Sequence, residues 1–465
     1  MRILIKFRRT VMLVLKILIL TAITFAFLNT WQNSYPETLF RNKGNLVVIL
    51  SYLVILFTFN NLYGGFRIGV LRLHEVVYSF FLSIIFTNFI IYLELSLIAR
   101  YMLNPVPMVL TTLFQSVIMI AGLISANAVY FKLYRARHIL AIFDKDPASF
   151  EIIKKMKLIK ERYSIDKGIT TNSSIEEIKR EIDKYEAVLI CQLDKAVKDE
   201  VLRYCYSTGK RIYLLPSTNE IIINNCYQSQ IFDTPVLICK NRGLSIEQRI
   251  VKRALDLLFS MVGIILSGPI MAIIAIAIKL CDGGPVLFKQ NRITKDNRIF
   301  NVYKFRSMII DADKDGAKKA TNGDERITPV GRVIRPLRLD ELPQLFNILK
   351  GDMSLVGPRP ERIENVLEYS SMIPEFNLRH RVKAGLTGYA QIFGKYNTSP
   401  MDKLNMDLIY IENYSLLLDI KLIIMTIKIL FMKESTEGFK EEDSKVNVPK
   451  PQTQNQTQIQ TQANE

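Results

Sequence analysis

The amino-acid sequence predicts a membrane protein of α plus α/β class: a four-helix transmembrane block, a Rossmann-like βαβ middle domain and a mostly helical third domain with a re-entrant membrane helix. Three observations predict this class. The mean hydropathy is +0.16 although 23% of the residues are charged, so apolar blocks must alternate with polar ones. Long apolar stretches open the chain. Short apolar runs then alternate with amphipathic stretches, which is typical of a parallel sheet.

Four segments follow from these patterns, because a chain of 465 residues is too long for one core. Residues 1–137 are the predicted transmembrane domain, 138–243 the Rossmann-like domain and 244–434 the third domain. Residues 435–465 are rich in Gln, Thr and charged side chains. They lack the apolar residues for a core and are predicted to be disordered.

The first domain contains four apolar stretches at residues 11–28, 45–59, 76–99 and 108–131. About 20 apolar residues are needed to cross roughly 30 Å of hydrocarbon, so the second stretch is the weakest. Basic residues precede the first stretch and follow the second and fourth. Because such residues resist translocation, both ends of the block should face the cytoplasm. We therefore expect a multi-pass membrane protein with both ends of this block on the cytoplasmic side.

The middle domain has apolar runs at residues 138–143, 186–191, 211–215 and 235–239, which are predicted strands of a parallel sheet. A dinucleotide site would need a glycine-rich turn after the first strand. Residues 138–240 contain only two glycines, and neither forms such a turn. We expect a regulatory or assembly module here, with a small-ligand domain as the alternative.

The net charge and the numbers of cysteine and histidine residues limit which partners and which catalytic groups the protein can use. The formal charge is +17, and the basic residues lie around apolar segments, which favours lipid headgroups and phosphorylated substrates over nucleic acid. The five cysteines are widely spaced without a paired motif, so they are predicted to be reduced and structural. Only three histidines exist, and they lie far apart. Carboxylates must therefore do any acid, base or nucleophilic work.

A fifth apolar run at residues 257–278 is long enough to cross a bilayer. Two features oppose a crossing. Basic residues flank both ends, so both ends prefer the cytoplasm. Ser267, Gly268 and Pro269 interrupt the middle, and proline bends a helix because it removes one backbone hydrogen bond. We expect a kinked helix that enters one leaflet and returns. The alternative is a proline-kinked span.

Motifs after this helix carry a specific resemblance. They are KFRSM at residues 304–308, RITPVGR at 326–332, RPLRLDELPQLFNILKGDMSLVGPRPE at 335–361 and GLTGYAQ at 385–391. Together they resemble the bacterial sugar transferase family, the monotopic polyprenyl-phosphate phosphoglycosyl transferases. The resemblance covers about residues 250–433, and the front half resembles that of the larger members.

The resemblance implies an activity and a site. A member transfers a sugar 1-phosphate from a UDP-sugar to polyprenyl (undecaprenyl) phosphate and releases UMP, as the first membrane step of exopolysaccharide, capsule or O-antigen synthesis. The reaction passes through a phosphoryl-aspartate. The acidic pair Asp340 and Glu341 is catalytic by this resemblance, and residues 257–278 correspond to the re-entrant membrane helix. By this resemblance the protein would lie in the bacterial cytoplasmic (inner) membrane as a multi-pass protein, with the third domain as the catalytic domain on the cytoplasmic face.

The residues themselves permit this chemistry. Residues 342–349 are a predicted short helix with Pro343 in its first turn, where a missing amide hydrogen costs nothing. Asp340 and Glu341 then lie at the helix start. There the helix dipole, with Arg335 and Arg338, should keep a carboxylate ionised. Asp340 is the predicted nucleophile. In isolation, such an acidic pair among arginines is more often a solvated salt-bridge network.

An anionic nucleophile that attacks a diphosphate needs cations. We expect Mg²⁺ as cofactor, with Asp340 and Glu341 as its protein ligands and Glu341 the stronger candidate. The other candidate substrate-binding residues are Lys304, Arg306, Arg335, Arg338, Pro358, Arg359 and Pro360. A second acidic pattern, Asp311 and Asp313, is assigned no role because it is more often a polar helix start.

The sequence departs from the family pattern at three places. Gly268 precedes Pro269 where the family has serine, Lys383-Ala384-Gly385 replaces a KPG segment, and turn glycines are replaced near Thr294 and Asn297. Two rival functions also fit the sequence: a non-catalytic membrane scaffold of polysaccharide assembly, and a sugar-transferring glycosyltransferase. The sugar is open, and so is whether the chain forms a homo-oligomer.

Overall fold

The computed structural model describes residues 7–41, 43–144, 147–239, 243–310, 312, 324–395 and 398–430. The predicted disordered tail, 435–465, and the Asp311 and Asp313 pair lie outside these residues. The described part is mostly helical and contains a parallel sheet. The chain divides into two compact units between Ser217 and Thr218. The predicted domain boundary at residue 243 stays a prediction.

Four long helices open the first unit where the four apolar stretches lie in the sequence. They are α1 (Arg8–Ser34), α2 (Gly44–Tyr63), α3 (Leu73–Ala99) and α4 (Val106–Leu133), with a 3-10 turn at Pro36–Thr38 between α1 and α2. Each is long and apolar enough to cross a membrane. The second stretch, which looked weakest in the sequence, extends to a helix of 20 residues.

A polar network lies inside the bundle that these helices form. The Gln115 amide nitrogen donates to the Tyr52 hydroxyl and to the Ile23 carbonyl, both at 2.9 Å. The Asn88 amide nitrogen donates to the Gln115 side-chain oxygen at 2.7 Å. Helices α1 to α4 thus share one set of buried hydrogen bonds. Polar side chains of this kind join helices in an apolar surrounding, where they have few other partners.

A four-stranded parallel sheet follows in the same unit. Its strands are β1 (Arg137–Phe143), β2 (Tyr163–Thr170), β3 (Ala187–Ile190) and β4 (Arg211–Leu214), in the order β2-β1-β3-β4. The connecting helices are α5 (Pro147–Lys157), α6 (Ile175–Asp183) and α7 (Lys195–Ser207). Three predicted strands are confirmed as β1, β3 and β4. Strand β2 was missed because it lies at the sheet edge and has no continuous apolar run.

The second unit begins with α8 (Thr218–Asn224) and an antiparallel hairpin of β5 (Tyr227–Ile231) and β6 (Thr234–Ile238). The run at residues 235–239 lies in this hairpin, so its assignment to the parallel sheet is wrong. A disulfide joins Cys226 and Cys239, so the prediction that all cysteines are reduced is also wrong. Hairpin pairing of Tyr227 with Ile238 brings together cysteines 13 residues apart in sequence.

Helix α9 (Ile246–Asp282) contains the fifth apolar run and continues through Pro269. Its first turns are anchored by polar contacts. The Arg253 guanidinium donates to the Ile348 carbonyl at 2.6 Å, and the Asp256 carboxylate accepts from the Leu355 amide at 2.9 Å. At the predicted kink, the Ser267 hydroxyl donates to the Gly263 carbonyl at 2.6 Å. A re-entrant path remains a prediction.

The rest of the unit is compact and mostly helical. Two strands, β7 (Leu287–Ile293) and β8 (Ile299–Phe305), form an antiparallel hairpin, while β9 (Ser354–Val356) and β10 (Gly385–Thr387) pair in parallel. The helices are α10 (Pro329–Ile334), α11 (Gln344–Lys350), α12 (Ile363–Met372), α13 (Tyr389–Phe393), α14 (Pro400–Glu412) and α15 (Leu416–Leu430). Three 3-10 turns lie at Lys295–Asn297, Leu339–Glu341 and Pro374–Arg381.

The last described helix, α15, packs inside the unit. Asp419, which interrupts its apolar pattern, is buried and pairs with Lys252 of α9 at 2.6 Å. The Tyr410 hydroxyl of α14 donates to the other oxygen of Asp419 at 2.8 Å. This buried pair is hydrogen-bonded as well as charged, which is the condition under which burial of charge is tolerated. It fixes the start of α9 against α14 and α15.

Candidate active site

The acidic pair lies on the 3-10 turn Leu339–Glu341, directly before α11. Leu342 and Pro343 already have helical backbone angles, so the predicted helix after the pair is present. Arg338 precedes the turn with φ of 53°, in the left-handed region that non-glycine residues rarely occupy. This conformation costs a non-glycine residue on the order of 1 kcal/mol.

Glu341 is held by two cations. Its Oε1 lies 2.8 Å from Lys304 Nζ and 3.2 Å from the nearest Arg359 nitrogen, and its side chain is 12% exposed. Burial alone would raise the pKa of Glu341, but Lys304 and Arg359 outweigh burial and hold that pKa well below its usual range. Glu341 is therefore a permanent anion in this arrangement.

Asp340 is different, because its side chain makes no hydrogen bond or ion pair with any other residue that the structure describes. Burial raises the pKa of Asp340 to about 6, although Lys304 and Arg335 oppose the shift. The expectation that a carboxylate here stays ionised remains a prediction, but the pKa of Asp340 is raised in spite of Lys304 and Arg335. Burial and the neighbouring Glu341 charge outweigh them. Roughly nine tenths of the group is still ionised at pH 7.

The other predicted residues divide into two groups. Lys304, Arg335, Arg338 and Arg359 all act electrostatically on Asp340 or Glu341. Pro358 and Pro360 flank Arg359 and fix the backbone from which its side chain extends. Arg306 lies elsewhere: it is 5% exposed and pairs with Asp282 at the end of α9. The structure does not bring Arg306 into contact with the acidic pair within the described residues.

Two arginines near the site escaped the sequence analysis. Arg292 of β7 donates to the Pro360 carbonyl at 3.1 Å, and Arg379 donates to the Arg359 carbonyl at 3.0 Å. Arg379 is 1% exposed and also pairs with the buried Asp407 at 2.7 Å. No local spacing could reveal these contacts, since Arg292 lies far from the acidic motif in sequence and is joined to it only by the fold.

Two departures from the family pattern meet in space. The family proline is replaced by Ala384, whose amide donates to the Thr294 hydroxyl at 3.1 Å, a bond that proline cannot make. Thr294, near which the family pattern is predicted to have a turn glycine, donates its hydroxyl to the Asp352 carbonyl at 3.0 Å. The two substitutions therefore form one hydrogen-bonded link. Asp296 and Asn297 have positive φ, which these two residue types tolerate.

The carboxylates suit a magnesium ion. Mg²⁺ prefers oxygen ligands and is commonly bound by one or two carboxylates together with substrate phosphates. Asp340 has no competing side-chain partner in the described structure, and one oxygen of Glu341 holds both cations. No group of three or more metal-binding side chains is found in the described residues. Any ion bound here would therefore take its remaining ligands from substrate and water.

An anionic carboxylate beside a cation-held glutamate, in a unit that contains the long apolar helix α9, is an arrangement suited to phosphoryl chemistry in a membrane-associated protein. Comparison with known proteins agrees. The family model for bacterial sugar transferases matches residues 247–433. An exopolysaccharide production protein, PSS, of Rhizobium leguminosarum bv. phaseoli is 38% identical over 200 residues, which cover 41% of this chain and 97% of that protein. The chain belongs to the bacterial sugar transferase family.

Longer relatives carry more specific names. A UDP-N-acetylgalactosamine-undecaprenyl-phosphate N-acetylgalactosaminephosphotransferase of Aeromonas hydrophila is 47% identical over 181 residues, or 38% of this chain and 43% of the relative. An undecaprenyl-phosphate glucose phosphotransferase of Komagataeibacter xylinus is 38% identical over 283 residues, or 57% and 52%. The matches thus span about half the length of these two relatives.

Proposed function

We propose that this protein transfers a sugar 1-phosphate from a UDP-sugar to undecaprenyl phosphate and releases UMP. The observation that carries the proposal is the environment of Asp340: a carboxylate without a side-chain partner in the described structure, beside Glu341, Lys304 and Arg359. The names of the relatives support both substrates. In a purely structural salt-bridge network, both carboxylates of the pair would be bound by cations, as Glu341 is bound here by Lys304 and Arg359.

In the first step, an Asp340 oxygen attacks the phosphorus that bears the sugar. The bond from that phosphorus to the bridging oxygen breaks, and UMP leaves with the electron pair. The sugar phosphate is then bound to Asp340 as an acyl phosphate. In the second step, a phosphate oxygen of undecaprenyl phosphate attacks the same phosphorus and displaces the carboxylate. Splitting the transfer in this way replaces one difficult displacement with two easier ones.

Cations balance the charge of this reaction. A diphosphate repels an ionised aspartate, and charge moves to the leaving oxygen as the bond breaks. Arg359, Arg338 and Arg335 supply fixed positive charge around the pair. Mg²⁺, when bound by Asp340 and Glu341, would supply further neutralisation of the diphosphate. Lys304 keeps Glu341 ionised and so preserves its capacity as a metal ligand.

The proposed topology places α1 to α4 across the inner membrane and the acidic pair on the cytoplasmic face. Contacts of α9 support a re-entrant path. Its start contacts Leu355 and Asp419, while Asp282 at its end pairs with Arg306. Both ends are therefore bound to the same unit. Between them, an apolar face is exposed at positions such as Leu266 and Ile273, which suits contact with lipid.

Product identity tests the proposal. Purified protein with Mg²⁺, undecaprenyl phosphate and a panel of UDP-sugars should release UMP with at least one donor. Release of UDP would instead indicate a sugar-transferring glycosyltransferase. No nucleotide release with any donor, from protein that binds membranes and remains folded, would favour a scaffold. The Asp340→Asn variant serves as the control for contaminating activity.

A further inference from the structure

The backbone of residues 358–360, here called the Pro-Arg-Pro segment, is held at three consecutive carbonyls. Pro358 accepts from the Gly385 amide at 2.9 Å. Arg359 accepts from Arg379 at 3.0 Å, and Pro360 accepts from Arg292 at 3.1 Å. The donors come from β10, the 3-10 turn Pro374–Arg381 and β7. Three separate elements therefore fix one short segment.

The three hydrogen bonds restrain a backbone that is already restricted by its two prolines. Both prolines already limit the backbone to φ near −65°. The side chain that the segment presents is Arg359, which is 45% exposed and lies 3.2 Å from Glu341. A half-exposed arginine loses much rotamer freedom when it is held. Fixing its backbone in advance lowers the entropy lost when it binds an anion.

We propose that Arg292 and Arg379 are positioning residues, which hold the backbone of the Pro-Arg-Pro segment so that the Arg359 guanidinium meets the diphosphate of the nucleotide sugar. This inference rests on the proposed function. Arg292 and Arg379 do not touch the substrate themselves; they act through the carbonyls of Pro360 and Arg359. Arginine suits this task because its planar fork can hold two acceptors at once.

The contacts of each arginine agree with this role. Arg292 bridges the Pro360 carbonyl and the Gln290 side-chain oxygen, the latter at 2.6 Å. Arg379 bridges the Arg359 carbonyl and Asp407, and lies 5.0 Å from the Phe376 ring centroid. Arg292 makes its two contacts through different terminal nitrogens, Nη1 and Nη2, whereas Arg379 makes both of its contacts through Nη2.

Arg292 lies within the electrostatic influence of Arg359. Burial and then the nearby Arg359 charge lower the pKa of Arg292 to about 10. The Nε atom of Arg292 is buried and makes no hydrogen bond with any described residue. Arg359 and Arg362 both lower the pKa of Arg292 electrostatically, while Glu361 and Glu341 oppose them. A bound diphosphate would relieve the repulsion between the Arg292 and Arg359 guanidinium groups.

A double-mutant cycle tests the inference. Arg292→Gln should lower kcat/KM for UMP release about tenfold, since Arg359 is then held less well. In an Arg359→Ala background the same substitution should change kcat/KM by less than about twofold, because the group it positions is absent. Arg298→Gln is the matched control: Arg298 lies on the same hairpin, pairs with Asp352 at 3.0 Å and should leave activity unchanged.

Additive losses in the two backgrounds would overturn the inference while leaving the proposed function intact. Absence of UMP release from the wild-type protein would overturn both. If Arg292→Gln does not accumulate as folded protein, Arg292→Lys carries the same cycle, because lysine keeps the charge and one hydrogen bond. Its loss must likewise disappear when Arg359 is alanine; a loss that persists counts against the inference.

Discussion

At the scale of single residues, Asp340 and Glu341 are adjacent carboxylates with opposite properties. Cations hold the pKa of Glu341 below its usual range, whereas burial raises that of Asp340. The difference arises from partners: Lys304 and Arg359 both bind Glu341 directly. A pair of titratable groups with divergent environments is the usual basis for divided catalytic roles. Under the proposed function, this difference suits Asp340 to attack and Glu341 to remain a fixed anion.

The pH dependence of turnover follows from the Asp340 carboxyl group. Attack requires the ionised form, whose fraction falls as the pH decreases through about 6. We therefore expect kcat/KM to fall about tenfold between pH 7 and pH 5. Lys304→Met should shift the pH at which kcat/KM falls to a higher value, because Lys304 lowers the pKa of Asp340. Initial rates of UMP release at constant ionic strength measure both effects, and a flat profile over this range would refute the assignment.

Asp340→Asn should abolish turnover, by at least about a thousandfold, yet raise stability. Between the unfolded pKa near 3.9 and the folded pKa of about 6, the folded state holds more protons than the unfolded state. The free energy of unfolding therefore falls as the pH rises through this window, and ionised Asp340 opposes folding at pH 7. Removing the charge should stabilise the protein by on the order of 1 to 2 kcal/mol.

The matched control for this variant is Glu341→Gln in the same turn. Glu341 has a lowered pKa, so its charge stabilises the folded state above its unfolded pKa. The glutamine variant should therefore unfold at a lower temperature than wild type, while Asp340→Asn unfolds at a higher one. Thermal unfolding in detergent at pH 7 gives both values. A destabilised Asp340→Asn variant would show that the carboxylate serves the fold.

At the scale of elements, α9 is a long apolar helix whose two ends are both anchored within the second unit. Its first ten residues contain Lys252 and Arg253, which hold α15 and α11, while its last residue pairs with Arg306. The helix is continuous through Pro269, and Ser267 bonds the carbonyl of Gly263. These anchors explain why both flanks of an apolar run are basic and polar: both belong to one folded unit.

Cysteine labelling tests the path of α9. Cys281 is exposed near the helix end, and Glu247→Cys places a second reporter near its start. In single-cysteine variants, a membrane-impermeant maleimide should label neither site in intact cells and both sites after lysis. Tyr101→Cys, in the loop between α3 and α4, should be labelled in intact cells and serves as the control. Labelling of one α9 end alone in intact cells would establish a crossing.

At the scale of the whole molecule, local patterns predicted much of the fold. Apolar stretches gave α1 to α4 and α9, and short apolar runs gave β1, β3 and β4. The Asp340 and Glu341 pair could be found because its motif is contiguous. Three features could not be predicted from local sequence, because each depends on contacts between residues that are distant in the chain. They are the edge strand β2, the Cys226 to Cys239 disulfide, and the hydrogen bonds from Arg292 and Arg379 to the Pro-Arg-Pro segment.

The central claim is covalent transfer through Asp340, and trapping tests it most directly. Purified protein is mixed with a UDP-sugar and Mg²⁺ without lipid acceptor, quenched in acid and examined by intact-mass and peptide mass spectrometry. We predict one sugar phosphate per active enzyme, attached at Asp340, with release of an equal amount of UMP. A preparation that makes the lipid-linked product yet never carries an enzyme-bound sugar phosphate would contradict the mechanism.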